Sequence, residues 1–550
     1  MDIVSFAFSG PATHADQPPI YIDAENPSRS LSEAPFRHLV RSLIAGFKAH
    51  GIEHGDTVLV QLDNAVIHSA LLLGIIGAGG VYMGCSPSSP RHEFDHFVSL
   101  VEPRLILTVA SALPVVRDVC TIKGIPLGQI CLVDDRCVDH LVSFARNQVD
   151  NPQATSPVRD EGVPFGLGDL VSFGQSDWMR IDDEATAKIT PAAMFSTSGT
   201  SGLPKAAIRT HYTIISHHQT VHYDVPYPVT RLMVLPMSHS FGDFWSNLFP
   251  IRYGHPLYVM PRFDLSKFLN VVHCYNITET YLVPAMVHIL NQSTLPVRES
   301  LSSLFYIGVS GAPIDAHSLQ RCQELLNPQA SIGQLWGMTE VGVVFQNRYG
   351  NQRYPGSIGK LLDNYDIRLI RSDDGTTIDM ECTPGELYVR GPGIMLAYKG
   401  RDNATDDGGW FRTGDIAYCE DEHYHIVGRT KELIKVRGYS VAPAEIEAVL
   451  LKDPRVHDTM VIGITLPDGS TEVPRAYVVC ARGLARPTAD EISALALNNL
   501  ASYKALDGGV VFVESLPRTA IGKPHRSKLS ELDAQRTKIA ALLSPSHALC

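Results

Sequence analysis

Between Ser196 and Lys205 the chain reads Ser-Thr-Ser-Gly-Thr-Ser-Gly-Leu-Pro-Lys. Hydroxyls alternate with glycines, so the backbone can curl around an anion and offer N–H and O–H donors, while Lys205 adds positive charge. Thr197, Ser198, Gly199, Thr200, Ser201, Gly202 and Lys205 are therefore candidates for holding phosphate. The run is not G-x-x-x-x-G-K-[ST], because Pro204 precedes the lysine and Ala206 follows it. Residues 205–210 read as a second strand, which makes the unit strand–loop–strand instead of the strand–loop–helix of P-loop enzymes.

A phosphate loop needs stiff elements on either side. From Asp56 onward short β-rich runs alternate with helix-length amphipathic stretches, the pattern of parallel sheets with crossover helices. Strands are expected over 57–62, 80–84 and 105–109, with helices over 65–76 and 91–101. A second series places strands at 232–235, 257–260, 280–283 and 304–309, with helices at 265–273 and 316–326. The stretch 147–190, rich in Pro, Gly, Asp and Ser, reads as a long irregular connection. After Gly356 the pattern turns to short strands with Gly-bounded turns, including 385–391 and 410–427. From Arg429 it restarts with a helix over 443–451, a hairpin turning at 466–469, a helix over 489–500 and a strand over 510–513. The expected fold is α/β: a large domain over 1–428 of layered sheets plus a β-rich subdomain from about 356, a hinge at 429–431, and a small mobile α+β domain over 432–550.

Four further runs stand in order along this frame. They are Gly333-Gln334-Leu335-Trp336-Gly337-Met338-Thr339-Glu340, Trp410-Phe411-Arg412-Thr413-Gly414-Asp415, Gly428-Arg429-Thr430-Lys431-Glu432-Leu433-Ile434-Lys435 with Glu445-Ile446-Glu447, and Pro517-Arg518-Thr519-Ala520-Ile521-Gly522-Lys523. With the phosphate loop, these five resemble the ordered signatures of the adenylate-forming superfamily, which includes acyl-CoA and aryl-CoA synthetases, firefly-type luciferases and nonribosomal peptide synthetase adenylation domains. The pattern is most similar to the acyl/aryl-CoA ligases.

The resemblance implies roles that the residue types suit. A carboxylate and the α-phosphate of ATP are both anions, so their reaction needs cations. Glu340, a hard oxygen donor, suits Mg²⁺ bridging phosphate oxygens, and Thr339 can donate a hydroxyl to the α-phosphate. Lys523, with an ordinary pKa of about 10.4, stays charged at neutral pH and can neutralise the reacting centre. Asp415 is similar to the family residue that accepts the ribose hydroxyls, with Arg429 beside it. Trp336 and Gly337 would border adenine, facing the Ser310-Gly311-Ala312-Pro313 turn. His239, Phe241, Gly242, Ser310, Gly311, Leu335, Gly337 and Met338 would line the acyl pocket. Gly242 stands where amino-acid-activating domains carry an Asp, so a buried ammonium would go unpaired there and an aryl or medium hydrophobic acid is expected. Lys431 falls at the family's pivot, and Lys435, Gly438 and Tyr439 on the CoA side.

The implied reaction joins a carboxylic acid to ATP as an acyl-adenylate and then to CoA, releasing AMP and pyrophosphate. Two alternatives are an adenylating enzyme that serves a separate carrier protein, and a catalytically silent AMP or acyl-ligand binder. Retention of Lys523, Glu340 and Asp415 argues against the silent form. Composition narrows the partners. At 550 residues and a net charge of −12 the chain lacks the basic surplus that favours nucleic acid. Ten scattered cysteines without a C-x-x-C pair suit a reducing compartment. Met1-Asp2-Ile3-Val4-Ser5 has no basic n-region, the end His547-Ala548-Leu549-Cys550 does not match S-K-L, and no run reaches membrane-span length, so a cytoplasmic protein is expected.

Overall fold

The computed structural model describes residues 1–10, 18–147, 163–197, 204–351, 354, 356–371, 374–401, 403–437, 439–466, 470–518 and 524–543. Alternating polarity dictates two large mixed sheets. In one, eight strands run in the order Ala397–Tyr398, Lys205–Thr210, Pro191–Thr197, Val81–Cys85, Thr57–Gln61, Leu105–Val109, Ile130–Val133, Phe165–Gly166. In the other, nine strands include the parallel run Tyr21–Asp23, Leu257–Val259, Arg231–Met233, Glu279–Leu282, Tyr306–Val309 and Ser331–Met338.

Each sheet is apolar on both faces, as sheets covered by crossover helices must be. Leu232, Val234, Ile307 and Val309 point to an outer layer containing Phe268, Val287 and Cys322. Their neighbours Met233, Leu235, Tyr281, Tyr306 and Leu335 point inward, into a core shared with Val58, Val60 and Phe195 of the other sheet. This period of two fixes which side chains can meet between the sheets. The helix Ser240–Asn247 lies in that middle layer, with Phe244 and Trp245 in the shared core.

A four-stranded antiparallel sheet follows, in the order Asp366–Ile370, Gly385–Arg390, Phe411–Glu420, His423–Arg429. The last unit packs the strands Val456–Thr465, Glu472–Cys480 and Val510–Phe512 between helices Pro443–Leu450 and Ala489–Asn499 on one side and Arg526–Leu543 on the other. The chain is thus a mixed α/β protein, its large N-terminal sheets followed by a smaller α/β unit. Among the described residues no helix is long and apolar enough to cross a membrane.

Two sequence expectations need correction. The connection over 147–190 is not wholly irregular, since it holds a strand Phe165–Gly166, a short 3₁₀ turn and the helix Glu184–Ile189. That helix starts because the Asp183 side chain accepts from Thr186 N at 2.7 Å. The helix expected over 65–76 begins only at His68, its N-cap Ile67 making no side-chain cap.

Candidate active site

The strands Pro191–Thr197 and Lys205–Thr210 pair antiparallel up to Thr197↔Lys205, so the two ends of the candidate phosphate loop are held side by side. Ser198, Gly199, Thr200, Ser201 and Gly202 lie outside the described residues, but both ends of the loop are placed. Thr197 Oγ1 donates to Glu340 Oε1 at 2.8 Å, tying the loop to the second signature. Tyr398 donates to the same Oε1 at 2.9 Å, and its ring lies under Lys205 Nζ at 4.6 Å. The two-residue strand Ala397–Tyr398 brings Tyr398 there by pairing with Ile208 and Ala207.

Thr339, next to Glu340, shares a 2.9 Å hydrogen bond between its Oγ1 and Ser240 Oγ, and its carbonyl accepts from Arg209 at 3.2 Å. Arg209 is buried and also donates to the Thr213 carbonyl. A buried guanidinium spent on carbonyls fixes backbone, so the Thr339–Glu340 turn is rigid where a triphosphate would lie. Gly337 is needed for the hairpin itself, since a Cβ there would fall 2.3 Å from the Gly342 carbonyl oxygen. Met338 is half-buried beside it. No group of three or more His, Cys, Asp or Glu gathers as a metal cage among the described residues. Glu340 stands as one carboxylate with Oε1 already hydrogen-bonded twice, a donor set that fits a cation completed by phosphate oxygens and water.

Asp415 follows Gly414, whose φ of 74° turns the strand. It sits directly opposite Arg429 across an antiparallel pair, with Arg429 Nε 2.8 Å from its Oδ1. Trp336 Nε1 donates to Oδ2 at 3.0 Å. Burial pushes the Asp415 carboxyl above the usual carboxylate range, and Arg429 and Trp336 oppose that push. Trp336 is thus joined by its edge to the carboxylate, a link the sequence did not suggest. Ser310, Gly311, Ala312 and Pro313 form the turn after strand Tyr306–Val309, with Gly311 at φ 94° and Ser310 N donating to Leu282 O.

On the acyl side, His239 caps the helix Ser240–Asn247, its Nδ1 accepting from Phe241 N at 3.3 Å. Phe241 meets the Tyr281 ring edge-on at 6.2 Å. Leu335 lies over Gly308, where a Cβ would come within 2.9 Å of it. At Gly242 a Cβ would fall 2.1 Å from the Pro236 carbonyl oxygen, so no side chain fits there on this backbone. The missing Asp therefore has a local steric reason.

Lys523 and Gly438 lie outside the described residues. The lysine loop's base is nonetheless closed, by an isolated bridge between Arg518 and Pro524 and by His525 N donating to Pro517 O at 3.0 Å. Arg526 then donates to Glu432 at 3.0 Å and to Glu447, anchoring the loop's far end beside Lys431. Lys431 is exposed in a turn, Lys435 is exposed on strand Ile434–Val436, and Tyr439 stacks on Tyr503 at 4.3 Å.

This arrangement is that of a nucleotide-dependent carboxylate-activating enzyme, and the chain belongs to the AMP-binding enzymes, whose family model matches residues 11–399, with the AMP-binding enzyme C-terminal domain matching 445–523. It is an ATP-dependent acid–CoA ligase of the adenylate-forming superfamily. It is 88% identical to the nicotinic acid-CoA ligase olcI of Penicillium canescens, over 99% of this chain and 100% of that one. It is 56% identical to the nicotinic acid-CoA ligase pyr1 of Aspergillus fumigatus, over 99% and 98%. Among solved structures, the anthranilate CoA ligase AuaEII in complex with anthranoyl-AMP aligns with TM-score 0.82 at 21% identity, covering 99% of this chain and 98% of that one.

Proposed function

We propose that the acid is nicotinic acid, and that the chain converts it with ATP and CoA to nicotinoyl-CoA, AMP and pyrophosphate. The observation that carries this reading is the near full-length 88% identity to a nicotinic acid-CoA ligase. The aromatic acyl side, with Tyr281 and Leu335 crowding over Gly308 and Phe241 edge-on to Tyr281, supports a small flat acid.

In the first half-reaction a carboxylate oxygen attacks the α-phosphorus and the bond to pyrophosphate breaks. The phosphate loop and Lys205 hold the triphosphate, Thr339 donates to the α-phosphate, and Asp415 with Arg429 holds the ribose. Lys523 neutralises the meeting anions, and His239 borders the carboxylate. Glu340 is the residue that would hold a Mg²⁺, which would supply charge neutralisation on the phosphates. In the second half the CoA thiolate attacks the acyl carbon and AMP leaves. The large domain, 1–428, would hold the nucleotide while the small one, 432–550, turns about Lys431 to withdraw Lys523 and present Lys435, Gly438 and Tyr439 to CoA. We place this work in the cytoplasm.

The test is purified protein with ATP, Mg²⁺, CoA and single acids: nicotinate, benzoate, anthranilate, phenylacetate and octanoate. Nicotinoyl-CoA should form without any partner protein and with the highest kcat/KM of the set. Absence of AMP release with nicotinate overturns the substrate, and acylation of a carrier alone overturns CoA as acceptor. Lys523→Ala should depress adenylate formation by about 10²-fold or more while largely sparing thioester formation from supplied nicotinoyl-AMP. Equal loss in both halves would refute that division.

A further inference from the structure

The inward face of the nine-stranded sheet can be read row by row. Arg231, Glu279, Tyr306 and Ser331 stand in register, and two residues further on Tyr281, Gly308 and Gly333 do. Ser310 and Leu335 follow after another two, at the edge that carries the candidate active site. The helix Ser240–Asn247 runs back along this face. One helical turn advances about 5.4 Å and two strand residues about 6.6 Å, so Phe241 and Trp245 fall over successive rows. The contacts agree: Trp245 stacks on Tyr281 with ring centroids 3.7 Å apart and planes at 12°. Tyr281 in turn covers Gly308, where a Cβ would lie 2.5 Å from its ring, and it meets Phe241 and Leu335 on the acyl side.

The same two rings line a cavity of about 450 Å³ together with Arg231, Glu279, Tyr227 and His255. That volume lies in the range that holds a small ligand, about 300–1,000 Å³. A single stacked pair of rings therefore borders this cavity and, through Tyr281 against Phe241, the candidate acyl side as well.

We infer that Trp245 and Tyr281 form a partition that ends the acyl site after one ring, and that removing either side chain joins it to the cavity behind. The inference rests on the reading that a single-ring acid binds between His239 and Leu335. It assigns Trp245 and Tyr281 as specificity-determining residues, excluding acids extended opposite the carboxyl group. The test compares kcat/KM for benzoate or nicotinate with that for biphenyl-4-carboxylate. In Trp245→Ala and Tyr281→Leu the preference for the single-ring acid should fall by about 10- to 100-fold. Wild-type protein that accepts the biphenyl acid as readily as benzoate overturns the partition, as does an unmoved preference in whichever variant folds. Equilibrium binding of the same acids in the presence of AMP requires no turnover. It should show the biphenyl acid bound by the variants and not by wild type, even if nicotinate proves not to be the physiological acid.

A second, independent observation concerns Gln346. It is 1% exposed and lies directly opposite Leu335 in the antiparallel pair. Facing residues share a sheet face, and the next pair, Trp336 and Phe345, meets ring to ring on the other face. Gln346 lies beside Tyr306, whose hydroxyl donates to the Asn347 carbonyl at 2.6 Å, and neither amide atom of Gln346 completes a well-formed hydrogen bond. The Gln346 amide thus interacts with Tyr306 alone and leaves hydrogen-bonding capacity unused, and such incompletely paired buried amides are normally avoided unless they serve a ligand. We infer that the Gln346 amide N–H reads the ring nitrogen of a pyridine carboxylate. Gln346→Leu should cut the nicotinate-over-benzoate ratio by about tenfold while leaving benzoate turnover and the melting temperature near wild type. Equal loss on both acids, or a lowered melting temperature with the ratio unchanged, would make Gln346 structural and overturn the assignment. Trp245 Nε1 is another buried donor without a partner nearby. Loss of the nitrogen preference in Trp245→Phe, with Gln346→Leu silent, would move the role to the indole.

Discussion

Two arginine–carboxylate–aromatic trios are built from like parts and differ in exposure. At the floor of the large sheet, Glu279 receives Arg231 Nε at 2.8 Å and the Tyr227 hydroxyl at 3.0 Å, with the two charged side chains 6% and 4% exposed. Arg231 also donates to His255 Nδ1, and burial pushes that imidazole down to about 3, keeping it a neutral acceptor. At the nucleotide end, Asp415 receives Trp336 Nε1 and lies 2.8 Å from Arg429, with the arginine 36% exposed. The donors are alike in kind. What differs is the exposure of the cation. The Arg231 trio borders a cavity but is nearly sealed from solvent and adds rigidity, whereas the open Arg429 leaves hydrogen-bonding capacity for the ribose of the proposed nucleotide site.

The largest expected effect breaks the sealed trio. Arg231→Met strands a buried carboxylate and should lower stability by about 3–5 kcal/mol, read as the denaturant midpoint. The double change Arg231→Met with Glu279→Leu should recover much of that loss, because an apolar pair of similar volume replaces the ion pair. If the single variant unfolds no earlier than wild type, the contrast between the trios has no energetic content.

Next comes the open trio. Asp415→Asn should raise the KM for ATP by about 10- to 100-fold, the worth of hydrogen bonds to a charged acceptor. Its midpoint should stay near wild type, since the arginine it releases already reaches solvent. A midpoint loss matching Arg231→Met, with ATP affinity intact, would make Asp415 structural. Trp336→Phe removes one neutral donor and should cost about 0.5–1.5 kcal/mol, a roughly three- to tenfold rise in the same KM.

The contrast also shows what a sequence can carry. Elements defined by local periodicity were legible: the strand Leu105–Val109 and the helix Arg91–Val101 fall where alternation and amphipathicity predict. The strand–loop–strand setting of the phosphate loop was legible because Ala206, Ala207 and Ile208 follow Lys205 without a helical period. Tyr398 on Glu340 was not, because it depends on a two-residue strand pairing almost 190 positions away. The Trp336–Asp415 bond spans 79 positions and joins two separate sheets. The steric reason for Gly242 was not legible either, since it lies in a carbonyl oxygen that no pattern marks. The sealed trio left no sequence signal at all, since Arg231 and Glu279 meet only through strand register.

The smallest effect sharpens the comparison most, because it separates the two trios by sign. Burial raises the Asp415 carboxyl and Arg429 holds it down. Arg429→Gln should therefore let it rise further, modestly given the arginine's exposure. On the proposed role of Asp415 at the ribose, turnover uses the carboxylate, so the acid limb of kcat/KM for ATP should move to higher pH. Stability should respond the other way. A carboxyl whose folded pKa exceeds its unfolded value takes up its proton first in the folded chain, so this group favours folding at low pH and loses that contribution as pH rises through the folded pKa. The variant should thus show an earlier loss of activity on acidification together with a relative gain in midpoint over the same window. An acid limb that stays in place, or moves to lower pH, would mean that Arg429 does not set the charge of Asp415 and that exposure of the arginine is not what distinguishes the two trios.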